Sequence, residues 1–355
     1  MRLTRRLPVG LLLAALVATG CSGSEGDGSP ETPAAAGETS TSSRPAEAPS
    51  ASESPSASPS PSDPPHPVSI QALSEKQYDG RGLRVGRVLA RTSAYTKHFA
   101  TFESGDLTIS ATWHRPRGDG PFPVAVLLHG YIDPAIYTNG RGLMREQDYL
   151  ARRGFVVLHV DYRNHAASDD DPRAERRLRL GYTEDTINAV LAVKGSGLPY
   201  DDGERVGLLG RSMGGGVLYN VLVVQPGLVD AAVAFAPVSS LADDNFDRWI
   251  RRDSGRRSVA RQIIEAYGTP EQNPEFWQNA SPRPFFDRIT EPVLIHHGTS
   301  DSTCPPRWSQ QTFDAMRAAG VDARLRWYEG EEHAFGPQFP LSMRRTVAFL
   351  REHLG

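Results

Sequence analysis

Cysteine is nearly absent. The 355 residues hold Cys21 and Cys304 and no others, so a disulfide framework is excluded as the source of stability. An excess of positive charge is missing as well. The net charge is −3: residues 22–67 carry seven acidic side chains against Arg44, residues 1–21 carry Arg2, Arg5 and Arg6, and residues 68–355 are therefore close to neutral. A neutral folded region offers no electrostatic case for nucleic acid. The chain has no H-E-x-x-H and no G-x-x-x-x-G-K, which speaks against metal and nucleotide chemistry, and no cofactor is expected. Residues 22–67 also lack large apolar side chains. They cannot bury a core and read as an extended, disordered stalk rich in Ser, Pro and Ala.

Residues 1–21 have a basic start and an apolar core at 9–17, too short to span a bilayer, and read as a secretion signal. The Arg5-Arg6 pair leaves the twin-arginine route open beside the general one. The end of this segment, Ala18-Thr19-Gly20-Cys21, resembles the lipobox of bacterial lipoproteins. That resemblance implies lipidation of Cys21 and a membrane-anchored, exported domain on the outer face of the cytoplasmic membrane; without lipidation the protein would be secreted.

Residues 68–355 are enough for one large domain. Residues 83–91, 95–102 and 107–113 carry β patterns, with a hairpin turn at Ser104-Gly105-Asp106. Continuous apolar runs at 124–128, 155–160 and 292–297, and shorter ones at 206–209 and 231–235, read as strands buried on both faces. Helical spacing falls at 143–153, 182–194, 217–222, 308–319 and 342–353, and a last strand at 323–328. Alternating strands and helices predict an α/β fold, a mostly parallel central sheet with helices on both faces. Residues 241–290 break the rhythm. They are charged, partly helical and rich in scattered aromatics, and read as a small helical cap whose Trp249, Trp277, Phe285 and Phe286 either line an apolar acyl pocket or pack the cap itself.

The chemistry centres on Gly210-Arg211-Ser212-Met213-Gly214. An apolar strand leads in and a helix leads out, as in a nucleophile elbow, where two glycines let the backbones close around an exposed serine. With 33 glycines in the chain, the bare pattern arises by chance in roughly a quarter of such sequences, so it needs partners. A serine hydroxyl needs a base, and the base needs a carboxylate. In the α/β-hydrolase arrangement these follow in the order Ser, acid, His. Of the ten histidines, His296, His297, His333 and His353 follow Ser212. The first two end a strand and read as packing, and His353 lies on the final helix. His333, in a loop after a strand, is the base. Asp301, in the loop after the strand ending at His297, is the acid, while Glu331 and Glu332 read as solvated. The oxyanion donors are the N–H groups of Met213 and Tyr131. Cys304 reads as core filler, and Asp169-Asp170-Asp171 as a solvated charge run.

The spread of HGY (129–131), DYRNH (161–165), GRSMGG (210–215), AYGTPEQNPEFW (266–277), HHGTSDSTCPP (296–306) and GEEHAF (330–335) resembles the prolyl oligopeptidase-type catalytic domain of the α/β-hydrolases. The resemblance covers most of residues 122–355. It implies an α/β-hydrolase fold with Ser212 as nucleophile, Asp301 as acid and His333 as base, and a small-molecule or short-peptide substrate. Large members carry a β-propeller, for which this chain has no length, and no local acidic pair stands ready for a peptide amine. The readings are a serine peptidase of this type, a carboxylesterase on small acyl substrates, or a non-catalytic ligand-binding envelope lipoprotein.

Overall fold

The computed structural model describes residues 64–355. The expected signal with Cys21 and nearly all of the expected stalk lie outside the described residues. The strands are β1 Arg81–Arg91, β2 Tyr95–Ser104, β3 Leu107–Pro116, β4 Phe122–Leu128, β5 Val156–Val160, β6 Asp201–Arg211, β7 Ala231–Phe235, β8 Val293–Gly298 and β9 Ala323–Tyr328. They form one sheet in the order β1-β2-β3-β5-β4-β6-β7-β8-β9. The β1–β2, β2–β3 and β3–β5 pairings are antiparallel, and every pairing from β5 to β9 is parallel. The expected hairpin turn joins β2 to β3 through Gly105 (φ 59°) and Asp106, closing on the Ser104–Leu107 pair.

The helices are α1 Ile70–Glu75, α2 Met144–Ala151, α3 Gly181–Lys194, α4 Met213–Val224, α5 Ala242–Phe246, α6 Arg257–Tyr267, α7 Pro274–Asn279, α8 Pro306–Ala318 and α9 Phe339–Leu354. Period-two alternation sorts the strand residues between two cores. Val124, Val126, Leu128 and Leu208 pack with α3 and α4, whereas Ala125, Leu127 and Leu209 pack with α2 and α9. Full burial of each Val or Leu contributes roughly 1.5–3 kcal/mol, so these inner strands are held by two-sided burial. One helix has no counterpart in the sequence reading: α1 is begun by Ser69, whose Oγ accepts from Ala72 N at 3.0 Å, and it buries Ile70 and Leu73. The domain also starts earlier than residue 68, because His66 packs edge-on against Tyr267 and Phe276.

Between β7 and β8 the segment 241–290 holds α5, a π-helical turn Asp247–Arg251, a 3-10 turn Ser254–Arg256, α6 and α7. Its aromatics mostly pack on one another: Trp277 lies against Phe246 at 4.6 Å, and Tyr267 stacks on Phe276 at 4.3 Å. Phe286 fastens the segment to Tyr219 of α4.

Asp171 corrects the reading of residues 169–171 as a solvated run. Its carboxylate is buried and pairs with Arg163 at 3.3 Å, and Asp169 Oδ2 accepts from Thr108 N at 2.7 Å. The Arg163 guanidinium is itself buried among Asp171, Glu184 and Asp185, with Asp185 Oδ1 at 2.8 Å. A buried cation must be paired, and residues eight and more than twenty positions away in sequence supply the pairing here. Charge-run composition carries no sign of that.

Candidate active site

Parallel pairing brings the carboxyl ends of β4, β6, β8 and β9 to one edge of the sheet, where α/β proteins assemble their sites. Leu128 pairs with Gly210, so the His129-Gly130-Tyr131 turn after β4 lies beside the elbow after β6. Gly298 pairs with Tyr328, so the loops after β8 and β9, which carry Asp301 and His333, are likewise neighbours. The four sequence stretches with candidate residues are thereby gathered at one end of the fold.

At the elbow, Ser212 has φ 56° and ψ −120°, a conformation that costs a non-glycine residue energy and persists only when its surroundings enforce it. The enforcement is visible: Ser212 N donates to Phe235 O at 3.0 Å, and Ser212 O accepts from Gly215 N at 2.9 Å and Val238 N at 3.1 Å. The flanking glycines are sterically required. A Cβ on Gly210 would stand 2.3 Å from Gly214 O, and one on Gly214 would stand 2.1 Å from Leu128 O. Met213 opens α4, so its N–H is among those with no intrahelical acceptor. Arg211 pairs with the buried Glu146 of α2, tying the strand end to the opposite helix layer.

The turn after β4 is braced from below by Asp161. One carboxylate oxygen accepts from Tyr137 Oη at 2.7 Å and Gly140 N at 2.9 Å, the other from Ser110 Oγ at 2.6 Å and Asn139 Nδ2 at 2.7 Å. Burial raises the Asp161 pKa against the pull of these donors. His129 Nε2 reaches Asp161 O at 3.1 Å, and burial pushes the His129 pKa down to about 4, so the imidazole is neutral. Tyr131 is 49% exposed, with its ring at the mouth of the site.

Asp301 is buried and fully engaged. Oδ1 accepts from Thr303 N at 2.8 Å and Cys304 N at 2.9 Å. Oδ2 lies 2.8 Å from His333 Nδ1 and 3.1 Å from His297 Nε2. Burial raises its pKa, but hydrogen bonds from His297 and then His333 outweigh that and hold the carboxyl well below the usual carboxylate range. His297, expected from the sequence to be strand packing, is therefore more than that. Its Nε2 is shared between Asp301 Oδ2 and Cys304 O (3.0 Å), and its Nδ1 lies 2.6 Å from Ser309 Oγ. Two acceptors at Nε2 put the proton there, leaving Nδ1 to accept from Ser309. His296 does read as packing: it is buried between Tyr328 Oη (2.8 Å) and Thr346 Oγ1 (3.1 Å).

Glu331 also departs from its reading as solvated. It is buried, and its carboxylate accepts from Gly336 N and from Gln338 N (2.6 Å), closing the His333 loop on itself, while Glu332 is exposed as expected. Cys304 packs with Val238 and Trp308, and its Sγ lies 3.9 Å from Ser212 Oγ. Burial, with the nearby Asp301 charge, pushes its pKa up to about 12.

Ser212, Met213, Tyr131 and His333 line one cavity of about 410 Å³. Its apolar wall comes largely from the 241–290 segment through Phe246, Trp249 and Ile250, with Val217 and Val238 beside Ser212. Of the four aromatics singled out in the sequence, Trp249 alone reaches the cavity; Trp277, Phe285 and Phe286 pack the segment instead. Arg248 of the π-helical turn donates to Ser302 O at 2.7 Å and Thr303 O at 2.9 Å, fixing this segment to the Asp301 loop. Among the described residues no His, Cys, Asp and Glu side chains cluster as a metal site would need.

A serine at a strand–helix elbow and an Asp–His pair on the following loops, in that chain order, define an α/β-hydrolase. Comparison with known proteins places it further. A family model described as the prolyl oligopeptidase family matches residues 142–355, and the chain belongs to that family. Dipeptidyl peptidase 4 of Felis catus is 32% identical over 195 residues, covering 53% of this chain and 24% of the relative. The acylamino-acid-releasing enzyme of Rattus norvegicus is 25% identical over 245 residues, covering 66% of this chain and 32% of the relative. The chain thus spans about a quarter to a third of these relatives. Among solved structures, Porphyromonas gingivalis dipeptidyl peptidase 4 shares the fold at 21% identity and a TM-score of 0.58, covering 73% of this chain and 36% of that one. Acetyl xylan esterase 1 from Thermoanaerobacterium sp. JW/SL YS485 does so at 19% identity and 0.56, covering 80% and 92%.

Proposed function

We propose that this protein is a serine hydrolase that cleaves an ester or amide bond through an acyl-enzyme. Ser212 Oγ attacks the carbonyl carbon and His333 Nε2 takes its proton. Asp301 orients His333 through Nδ1 and balances the imidazolium charge. The oxyanion is held by the N–H groups of Met213 and Tyr131. His333 then passes the proton to the leaving group, and water repeats the sequence to release the acid. The observation that carries this reading is the 2.8 Å His333–Asp301 contact on loops beside the strained Ser212, with Ser212 and His333 open to one cavity.

The acyl group would rest against Val238, Phe246, Trp249 and Ile250, a wall that suits small or short-peptide acyl parts. Hydrolysis of 4-nitrophenyl esters and aminoacyl 4-nitroanilides by the wild type and Ser212→Ala tests the reading. Loss of all turnover in the variant supports it, and equal turnover by the two proteins removes it. Ester turnover without anilide cleavage would assign an esterase rather than a peptidase. We also propose that Cys21 is lipidated and anchors the domain to the cell envelope, on the strength of Ala18-Thr19-Gly20-Cys21. Metabolic labelling with a fatty acid should mark the wild type and spare Cys21→Ala; equal labelling of the two would sink the anchor.

A further inference from the structure

Residues 68–355 are close to neutral, and the charged side chains lining the Ser212 cavity are the arginines Arg179 and Arg256 beside the carboxylates Glu175 and Asp253. Glu175 and Arg179 come from residues 173–179 after β5, and Asp253 and Arg256 from residues 247–257 of the insertion.

The two segments meet at Glu175. Arg179 Nε donates to its Oε1 at 2.9 Å and Arg256 Nη2 to its Oε2, so one carboxylate serves two guanidinium groups. Both guanidiniums also lie against the Tyr131 ring, with Cζ 4.6 Å and 5.4 Å from its centroid. Arg179 has donors to spare. Its Nη1 meets the Met213 sulfur at 3.4 Å, a weak acceptor. Its Nη2 lies 2.9 Å from Glu175 Oε1 but makes no hydrogen bond to it or to any other acceptor among the described residues. The backbone points the same way: Leu178 (φ 52°) and Arg179 (φ 58°) are consecutive side-chain-bearing residues in the left-handed region, and both line the cavity. Such strain clusters where a site imposes it. Asp253, also at the mouth, is exposed and accepts from Gly255 N at 2.8 Å.

We propose that Arg179 and Arg256 form a carboxylate subsite, so that the substrate of Ser212 is an ester or amide whose acyl part ends in a negative charge. The proposal rests on the hydrolase reading above and names its substrate class. A guanidinium fork matches a carboxylate in two parallel hydrogen bonds, and the spare donors of Arg179 supply them at the cavity.

The test compares kcat/KM for the mono-4-nitrophenyl ester of glutarate with that for 4-nitrophenyl hexanoate, its neutral counterpart, in the wild type, Arg179→Gln and Arg256→Gln. The glutarate ester should be preferred by roughly tenfold or more, with the preference shrinking in each variant and at high salt. Equal or better use of the hexanoate, or a preference that survives both substitutions, overturns the subsite. Turnover of 4-nitrophenyl acetate that vanishes in Ser212→Ala checks the hydrolase reading separately. Should acetate not be turned over, that reading falls, and calorimetry of both esters on Ser212→Ala still decides the subsite: tighter binding of the glutarate ester supports it, and equal or weaker binding overturns it.

Discussion

Replacing His297 should slow the chemistry without weakening substrate binding. Asp301 Oδ2 faces two imidazole nitrogens, His333 Nδ1 at 2.8 Å and His297 Nε2 at 3.1 Å, and the second also serves Cys304 O at 3.0 Å. A hydrogen bond to an ionised acceptor is worth about 1.5–3 kcal/mol, and sharing reduces the part that reaches Asp301 to about 1–1.5 kcal/mol. Asp301 supports His333 chiefly when the imidazole is charged in the transition state, so His297→Leu should lower kcat roughly five- to tenfold with KM for 4-nitrophenyl acetate little changed. The buried Ser309 hydroxyl and Cys304 carbonyl lose their partner as well, and stability should drop by about 2 kcal/mol, read in urea. His297→Gln, which returns an N–H near the position of Nε2, should recover part of kcat. Unchanged kcat in a folded His297→Leu protein, or equal impairment of the two variants, would refute the role of that N–H.

Three further outcomes follow from the geometry. Asp185→Leu removes the carboxylate that takes Arg163 Nη2 at 2.8 Å and Ser104 Oγ at 2.8 Å, and should cost about 3 kcal/mol in denaturant melts, because the cation stays buried with fewer partners. Gly214→Ala would place a Cβ 2.1 Å from Leu128 O, so the end of β4 must move; a loss of about 3 kcal/mol is expected, with esterase turnover falling alongside, measured by thermal melting and acetate hydrolysis. The buried Cys304 thiol, its pKa pushed up to about 12, stays protonated at pH 8; iodoacetamide should leave it unmodified in the folded protein and modify it in urea, as mass spectrometry would report.

Most of the sheet was legible because its strands are buried on both faces and advertise themselves as apolar runs. The run at 124–128 became the core of β4, and 323–328 coincides with β9. The order of Ser212, Asp301 and His333 was legible for the same reason: each directly follows a recognisable strand, and parallel strands end together. What escaped was pairing across long separations. Nothing local distinguishes Asp171, which closes on Arg163, or Glu331, which folds the His333 loop onto Gly336 and Gln338, from solvated acids in turns. His297 ends an apolar run and was read as packing, because its contact with Asp301 depends on how the loop after β8 turns back. Aromatics of the 241–290 segment carried no sign of direction. Trp249 faces the cavity from a π-helical turn, whereas Trp277 packs against Phe246. The α1 helix, six residues long, was too short to show a period.

The proposed mechanism requires Ser212 to be an activated nucleophile. A fluorophosphonate applied to the folded protein, followed by peptide mass spectrometry, tests it most directly. One equivalent of adduct is expected on Ser212, slowed strongly in His333→Ala and absent after Ser212→Ala. A folded protein that takes up no reagent, or takes it up elsewhere with Ser212 left free, would contradict it.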